Sequence, residues 1–387
     1  MDSKREIYLD NAATTPVDNE AAQLAFEVMT SFYGNPSSAH AKGLEAEHLL
    51  KKARCRILNA AGYTSKEASV IFTSCGTEAS NSAIFSVYKS LGKRKKSIVI
   101  SDSEHPSVEN PVRELEKSGV KVFRIPTKNG QLDIDFASNV INGDTMLISC
   151  MAVNNETGAI YDIKALDSIR KVKAKDAFLH VDAVQGFTHL PYYMSAYNAD
   201  FLSLSGHKIN APKGIGALVV KKGVNFNPYI FGGGQENALR SGTENLPGIC
   251  AFGLACENAD SNKAERLSHL KKLNAFAREH LKEACPFIRF NTPSDGFASH
   301  ILSVSVPGIR SEIMLRFLSE KGIFVSAGSA CSSKNADNRV LSAFGLDNST
   351  ADSTLRISFD VHNTEDDIIK LSEALNDGNT SLIHTLK

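Results

Sequence analysis

Short runs of hydrophobic residues alternate with helical patterns through the larger, N-terminal part of the chain. A helix is predicted over residues 43–61, where Ala46, Leu50, Ala53 and Ile57 recur at helical spacing. Strand-like runs follow at 68–73, 97–101, 120–125, 146–153, 178–181 and 201–205, with helix-like runs at 78–89 and 163–174. Strands separated by helices are typical of an α/β fold with a mainly parallel sheet covered on both faces. Ligands of such sheets bind beyond the carboxyl ends of the strands.

The pattern changes near residue 260. A long amphipathic helix that ends before Pro286 is marked by apolar residues at helical spacing: Leu267, Leu270, Leu273, Ala277 and Leu281. A strand at 301–306, a helix at 312–321 and a strand at 355–359 are predicted after it. A last helix is predicted to begin at Thr364, with Asp367 as its capping partner, and to end near Gly378. These elements indicate a second, smaller α+β unit.

Composition and charge argue against several classes of protein. At 387 residues the chain exceeds one ordinary core, so either two domains or one large domain with an appended smaller one is expected. Lys and Arg balance Asp and Glu at 43 each, which gives no overall field to attract nucleic acid or an anionic membrane. The N-terminus lacks the pattern of a signal peptide, and no apolar run approaches the roughly 20 residues that span a bilayer. A cytoplasmic protein with neither a membrane nor a direct nucleic-acid partner is expected.

Two charged residues follow predicted strands where a cofactor could bind. Lys208 ends the run SLSGHK, and a lysine partly shielded from water there can form a Schiff base. Asp182 follows another strand, where a carboxylate could keep the pyridine nitrogen of pyridoxal 5'-phosphate (PLP) protonated. Taken alone, such residues are more often an exposed loop lysine and a turn carboxylate. No metal is predicted, because His180 and Asp182 lack further ligands at suitable spacing.

The turn at 74–78 lies between a predicted strand and a predicted helix. Its sequence SCGTE offers backbone N–H groups, hydroxyls and a helix N-terminus to a phosphate. There is no GxxxxGK[ST] pattern, so an ATP-type P-loop is not predicted. By itself the turn is weak evidence for a phosphate site, because Ser, Gly and Thr are common helix caps.

Ten short motifs occur in an order that resembles one known family. They are YLDNAATTP (8–16), YGNPSSAH (33–40), FTSCGTEASN (72–81), SEHPSV (103–108), VNNETG (153–158), HVDAVQ (180–185), SLSGHK (203–208), RSGTEN (240–245), GSACSS (328–333) and LRISF (355–359). Together they resemble the cysteine desulfurases of the NifS/IscS type, group I, which are class V, fold type I PLP enzymes. The resemblance extends over about residues 7–375. It implies a large PLP-binding domain at 15–260, with a mainly parallel seven-stranded sheet covered by helices. A smaller α+β domain is implied at 1–14 and 261–387, carrying a catalytic cysteine loop at about 325–338.

The resemblance also implies roles for individual residues. Lys208 is implied as the Schiff-base lysine and as the base that moves the α-proton of the substrate. His105 is implied to stack on the pyridine ring and to act as an acid or base. Asp182 is implied to pair with the ring nitrogen, and Asn155 and Gln185 to hydrogen-bond near the phenolic oxygen.

Contacts with the phosphate and with the substrate are implied in the same way. The phosphate is implied to contact a set of residues from this chain: Gly76, Thr77, Ser205 and His207. Thr243 is implied to complete the phosphate site of the partner subunit, which makes the protein a homodimer. Arg356, helped by Asn35, is implied to bind the substrate carboxylate through a bidentate pair.

Cys331 decides the reaction, because PLP serves transaminases, lyases and desulfurases alike. The seven cysteines are odd in number and include no CxxC, so a disulfide framework or zinc knuckle is not predicted. Cys331 lies in the small, polar run 325–335, where access is expected. The resemblance implies that L-cysteine becomes L-alanine and that its sulfur is left on Cys331 as a persulfide. An acceptor protein, such as an iron–sulfur scaffold or a thiolation enzyme, is implied to receive that sulfur.

Two alternatives stay open at the level of sequence. A class V aminotransferase or related PLP lyase would share Lys208 and Asp182 and would not need Cys331. A non-catalytic PLP-fold protein acting as a partner subunit or scaffold would not need Lys208.

Overall fold

The computed structural model describes residues 6–292, 295–327 and 338–386. The strands in these ranges are β1 (Ile7–Tyr8), β2 (Ala68–Thr73), β3 (Ser97–Ser101), β4 (Lys121–Ile125), β5 (Thr145–Met151), β6 (Phe178–Asp182), β7 (Phe201–Ser205), β8 (Gly216–Lys221), β9 (Arg289–Phe290), β10 (Ile301–Ser305), β11 (Ile323–Phe324), β12 (Ser326–Ala327) and β13 (Thr354–Ser358). The helices are α1 (Asn19–Thr30), α2 (Ala41–Ala61), α3 (Gly76–Leu91), α4 (Pro106–Lys117), α5 (Ile134–Val140), α6 (Ile163–Lys173), α7 (Leu246–Ser261), α8 (Lys263–Ala284), α9 (Ser311–Glu320), α10 (Arg339–Phe344), α11 (Asn348–Asp352) and α12 (Glu365–Ser381). None of these helices is both long and apolar enough to cross a membrane.

A seven-stranded sheet forms the centre of the larger part of the molecule. Its order is β2-β8-β7-β6-β5-β3-β4, and the pairs among β7, β6, β5, β3 and β4 are parallel. Strand β8 runs antiparallel to both of its neighbours, β2 and β7. The predicted α/β architecture with a mainly parallel sheet is therefore confirmed.

Both faces of this sheet are buried under helices. Along β3, Val99 packs into one hydrophobic cluster with residues of α2, α6 and α7, whereas Ile98 and Ile100 pack into another with α3 and α4. Successive side chains of a strand point to opposite faces, so a strand covered on both sides is apolar throughout. This burial explains why the strands appear in the sequence as continuous apolar runs.

The C-terminal elements form a second core around an antiparallel sheet of order β12-β13-β10-β9. Helices α8, α9 and α12 pack on it in one hydrophobic cluster that also contains Ile7 and Leu9. The N-terminal strand joins this unit because β1 pairs in parallel with β11, through Ile7 and Ile323. The register of β10 and β13 places Ser303 opposite Arg356.

The last helix confirms one prediction and corrects another. Thr364 caps α12 through a capping box with Asp367, as predicted. The predicted end near Gly378 is wrong, because the helix continues to Ser381. A Cβ at position 378 would lie 2.8 Å from the Sδ atom of Met314, so the glycine allows close approach to α9 and does not end the helix.

Candidate active site

A cavity of about 620 Å³ opens at the carboxyl ends of the parallel strands β5, β6 and β7. Its wall includes predicted site residues from several elements: Gly76, Thr77, His105, Asn155, Asp182, Gln185, Ser205, His207, Lys208 and Arg356. The loops that follow parallel strands gather at one sheet edge, which is why residues far apart in sequence meet here.

Lys208 lies on a short 3₁₀ turn, Gly206–Lys208, directly after β7. Its Nζ atom donates hydrogen bonds to the carbonyl oxygens of Ala12 and Ala13, at 2.7 Å each. The Nε2 atom of Gln185 donates to the same Ala12 carbonyl at 2.8 Å. The N-terminal segment thus holds the lysine amine at a defined place in the cavity wall.

Asp182 ends β6 and is buried, with 5% of its surface exposed. Burial raises the pKa of its carboxyl to about 6, although the Val184 N–H, which donates to Oδ1 at 3.0 Å, and the charge of Lys208 both act to lower it. A buried carboxylate without a close cation is costly. The site therefore favours a cationic group beside Asp182.

A second buried acid, Glu104, was not predicted. Its Oε1 atom accepts from the Ser101 hydroxyl at 2.5 Å and from the Met151 N–H at 2.9 Å, while Oε2 has no hydrogen-bond partner among the described residues. Burial raises its pKa to about 8, and the nearby Asp182 acts in the same direction. Glu104 is therefore mainly protonated at neutral pH, which leaves Asp182 as the charged acid of the pair.

His105 precedes α4 and caps its N-terminus. The Ser107 N–H donates to His105 Nδ1 at 3.1 Å, so in the neutral ring the proton is carried by Nε2. The imidazole is accessible from the cavity, yet limited hydration lowers its pKa to about 4, with the charges of Lys208 and Arg339 acting in the same direction. His105 is thus a neutral imidazole at pH 7.

The N-terminus of α3 faces the cavity at Gly76 and Thr77. Cys75, the residue before the helix, makes no side-chain cap hydrogen bond to it. A Cβ at Gly76 would lie 2.9 Å from Val184 Cγ2, so only glycine permits this close packing. A helix N-terminus without a side-chain cap is suited to an anion, and Ser205 lies next to it.

Arg356 reaches the cavity from β13, in the second unit. Its Nη2 atom forms an ion pair with Asp10 Oδ1 at 2.7 Å, and Nη1 donates to the Asn155 carbonyl at 3.0 Å. Its Nε atom has no hydrogen-bond partner in the described ranges. Asp10 was not predicted to take part, although it lies in the YLDNAATTP motif.

Some predicted residues are not brought into this cavity. Asn35 and Thr243 are exposed and do not line it, and one chain does not test a contact that Thr243 makes across a dimer. Cys331 lies outside the described residues. Ala327 and Arg339, which lie on either side of residues 328–337, both line the cavity.

Arg339 was also missed at the level of sequence. It donates hydrogen bonds to the carbonyl oxygens of Asp102 and, at 2.5 Å, Glu104. These contacts connect Arg339, which lies after residues 328–337, to the loop that carries His105.

His180 has a structural role in the strand. Its ring nitrogens contact the hydroxyls of Ser149 at 2.7 Å and Ser203 at 2.8 Å, and burial lowers its pKa to about 3. In the described ranges, no group of three or more His, Cys, Asp or Glu could hold a metal ion.

Comparison with known proteins identifies the class of protein that this fold and site define. The family model described as aminotransferase class-V matches residues 7–371, and the chain belongs to that family. Among curated relatives, cysteine desulfurase 2 of Trichormus variabilis is 37% identical over 373 residues, which is 95% of this chain and 92% of the relative. Cysteine desulfurase IscS of Dictyoglomus turgidum is 36% identical over 367 residues, covering 94% and 92%.

Solved structures give the same result. A NifS-like protein superposes with a TM-score of 0.91 at 34% identity, over 98% of this chain and all 100% of the other. A NifS-like protein from Rickettsia africae superposes with a TM-score of 0.86 at 30% identity, over 98% and 100%.

Proposed function

We propose that this protein is a PLP-dependent cysteine desulfurase, which converts L-cysteine to L-alanine and takes up the sulfur as a persulfide on Cys331. One observation carries the proposal: Lys208, Asp182 and the N-terminus of α3 lie in the wall of one cavity, as PLP requires. The similarity to proteins named cysteine desulfurase, over nearly the whole chain, selects sulfur transfer among the reactions of the family.

The residues present fit PLP. The cavity of about 620 Å³ combines a lysine amine, a buried carboxylate and a helix N-terminus, and the missing Cβ of Gly76 leaves the helix close to Ser205. Lys208 would hold the cofactor covalently, Asp182 would hold its ring nitrogen, and the first turn of α3 its phosphate. When bound, PLP supplies an electron sink for negative charge at the substrate's α-carbon.

Proton movement falls to Lys208 and His105. The carbonyls of Ala12 and Ala13 fix the Lys208 amine, which as a base takes the substrate's α-proton and returns it to the product. His105 is neutral at pH 7, so it can accept a proton from the substrate's ammonium or thiol group.

Arg356 would bind the substrate's carboxylate. Its Nε atom is buried without a partner among the described residues, while Nη1 and Nη2 are held by Asn155 and Asp10. A carboxylate that bonds Nε and shares Nη2 would satisfy the buried donor. Asn35 remains a proposed helper of this contact.

Sulfur transfer is assigned to Cys331. Its thiolate attacks the substrate's sulfur; the S–S bond forms while the C–S bond breaks, and the electron pair passes to the substrate carbon. Protonation of that carbon completes L-alanine. Ala327 and Arg339 support this role because the chain enters and leaves the Cys331 segment at the cavity wall.

Further expectations belong to the same proposal. The protein would act as a cytoplasmic homodimer in which Thr243 completes the partner subunit's phosphate site; the exposure of Thr243 is compatible with this. An acceptor protein would receive the sulfur. The domain division at 15–260, with 1–14 and 261–387 as the smaller domain, is supported by the pairing of β1 with β11.

Turnover of three forms of the protein tests the proposal. Purified wild type is expected to form L-alanine and, with a thiol reductant, sulfide from L-cysteine. Cys331→Ser is expected to lose sulfide and alanine formation but to keep the visible absorbance of bound PLP. Lys208→Ala is expected to lose turnover together with the absorbance of the lysine-bound cofactor. Full turnover by Cys331→Ser would reject sulfur transfer through this cysteine and favour another class V reaction.

A further inference from the structure

A second cavity, of about 350 Å³, lies apart from the central one and shares no lining residue with it. It lies where the end of α7 and the start of α8 meet the segment after Lys208 and the segment after β13. Its polar lining comes from separate parts of the chain, among them Asp18, Asn210, Arg266, His269 and His362. Cavities of this size hold small ligands.

Arg266 is a partly buried cation in this lining. The one hydrogen bond that its guanidinium makes within the described ranges is long, from Nη1 to the Ala259 carbonyl at 3.4 Å. No carboxylate of these ranges forms an ion pair with it. Burial lowers its pKa, an effect that the charge of Asp360 opposes. A partly buried guanidinium whose other donors make no hydrogen bond to these ranges can pair with an anion that enters the cavity.

Two of the nearby carboxylates, Asp360 and Asp18, already accept hydrogen bonds from other groups. Asp360 accepts from Asn210 Nδ2 at 2.7 Å and from the Val361 N–H at 2.8 Å. Asp18 caps α1 by accepting from the Ala21 N–H at 3.0 Å. Their charges still act at a distance, so a dianion is expected to bind more weakly in this cavity than an anion with a single negative charge.

The lining also offers acceptors. His269 Nε2 contacts the Asn363 carbonyl at 3.0 Å, so it carries the proton and leaves Nδ1 as an acceptor in the neutral ring. The side chain of Glu265 is a second acceptor at the exposed edge. A ligand that pairs with Arg266 and donates a hydrogen bond would use both kinds of group.

We propose that this cavity binds a small monocarboxylate that bears a hydroxyl or ammonium group, with its carboxylate on the Arg266 guanidinium. The ligand contacts Asn210, two residues after Lys208, and Val361 and His362, which follow the strand of Arg356. It therefore bridges the segments that continue from two central-site residues. The binding itself does not depend on the proposed function.

L-Lactate is the probe for this site, because it is a hydroxy monocarboxylate without an amine that could react with PLP. Binding to the purified holoprotein is measured by isothermal titration calorimetry and ligand-observed NMR. Arg266→Gln is expected to weaken lactate binding at least tenfold, since charge-assisted hydrogen bonds contribute about 1.5–3 kcal/mol. Arg289→Gln, at an exposed arginine of β9 that lines neither cavity, is the matched control and is expected to leave lactate binding unchanged. Arg356→Gln shows whether lactate binds in the central cavity instead.

A second variant keeps the positive charge of Arg266, so the test does not depend on whether Arg266→Gln folds. Asn262 is exposed and lines the cavity, so Asn262→Trp is expected to block entry and weaken lactate binding with the fold intact. Inorganic phosphate is expected to bind more weakly than lactate. The proposal is overturned if lactate does not bind, if Arg356→Gln abolishes binding while Arg266→Gln retains it, or if phosphate binds more tightly. Undiminished lactate binding by Asn262→Trp would equally exclude this cavity.

Discussion

Replacing Asp182 by asparagine tests whether the buried carboxylate destabilises the protein until a cation pairs with it. Burial raises the pKa of Asp182 from 3.8 to about 6 in the cofactor-free chain. The difference between these values corresponds to about 3 kcal/mol of folding stability lost when the carboxylate is ionised. The uncharged amide of the variant would carry no such cost, because its oxygen can still accept from the Val184 N–H.

The sign of this effect fixes its pH dependence. Below about pH 4 the carboxyl is protonated in both the folded and the unfolded chain, so it carries no penalty. As the pH rises from about 4 to 6 the unfolded chain loses its proton first, and the penalty grows to its full value above pH 6. Asp182→Asn is therefore expected to make the apoprotein more stable than wild type by about 2–3 kcal/mol at pH 8 and to have little effect at pH 4.

Urea unfolding of both apoproteins at several pH values measures this difference. The exposed Asp135→Asn, in the first turn of α5, serves as the control and is expected to change stability by less than about 1 kcal/mol at any pH. With PLP bound the order should reverse, because only Asp182 can pair with a cationic ring nitrogen. An Asp182→Asn apoprotein that is less stable than wild type at pH 8, or a difference that does not vary with pH, would refute the reasoning.

Three further predictions follow from single contacts. Arg356→Gln is expected to raise KM for L-cysteine at least tenfold, since about 1.5–3 kcal/mol of charge-assisted bonding is lost; an unchanged KM in alanine-release assays would remove Arg356 from the substrate site. Gly76→Ala brings a Cβ to 2.9 Å from Val184 Cγ2 and is expected to weaken PLP binding by about an order of magnitude in spectroscopic titrations; an unaltered Kd would contradict the close packing. Gly378→Val places its Cβ against Met314 and is expected to cost about 2 kcal/mol in urea unfolding, whereas wild-type stability would show that α12 can move away from α9.

The sheet could be predicted because its strands are buried on both faces. Every residue of Ser97–Ser101 is buried, and the run is continuous in the sequence. Helix α7 was missed because Leu246–Ser261 is buried on most sides and therefore has no amphipathic period. Its local signal was Asn245 as N-cap followed by Pro247. The end of α12 was misplaced because a glycine that permits packing looks the same in sequence as one that ends a helix.

The site could be predicted only where local sequence determines position. Asp182 is the last residue of one strand and Lys208 follows another, so the topology alone brings them to one edge of the sheet. Asp10 acts through Arg356, 346 residues away, and Arg339 acts through the carbonyl of Asp102, 237 residues away. No periodicity or spacing encodes such contacts. Glu104 was missed because its burial, and so its raised pKa, depends on the packing of neighbouring strands.

Mass spectrometry after a single turnover tests the central claim most directly. Purified holoprotein is mixed with one equivalent of L-cysteine without reductant, trapped with an alkylating reagent and digested, and free L-alanine is quantified in the same sample. One added sulfur is expected on the peptide that contains Cys331, in an amount equal to the alanine formed. Alanine without added sulfur on Cys331, or the sulfur on another cysteine, would contradict it.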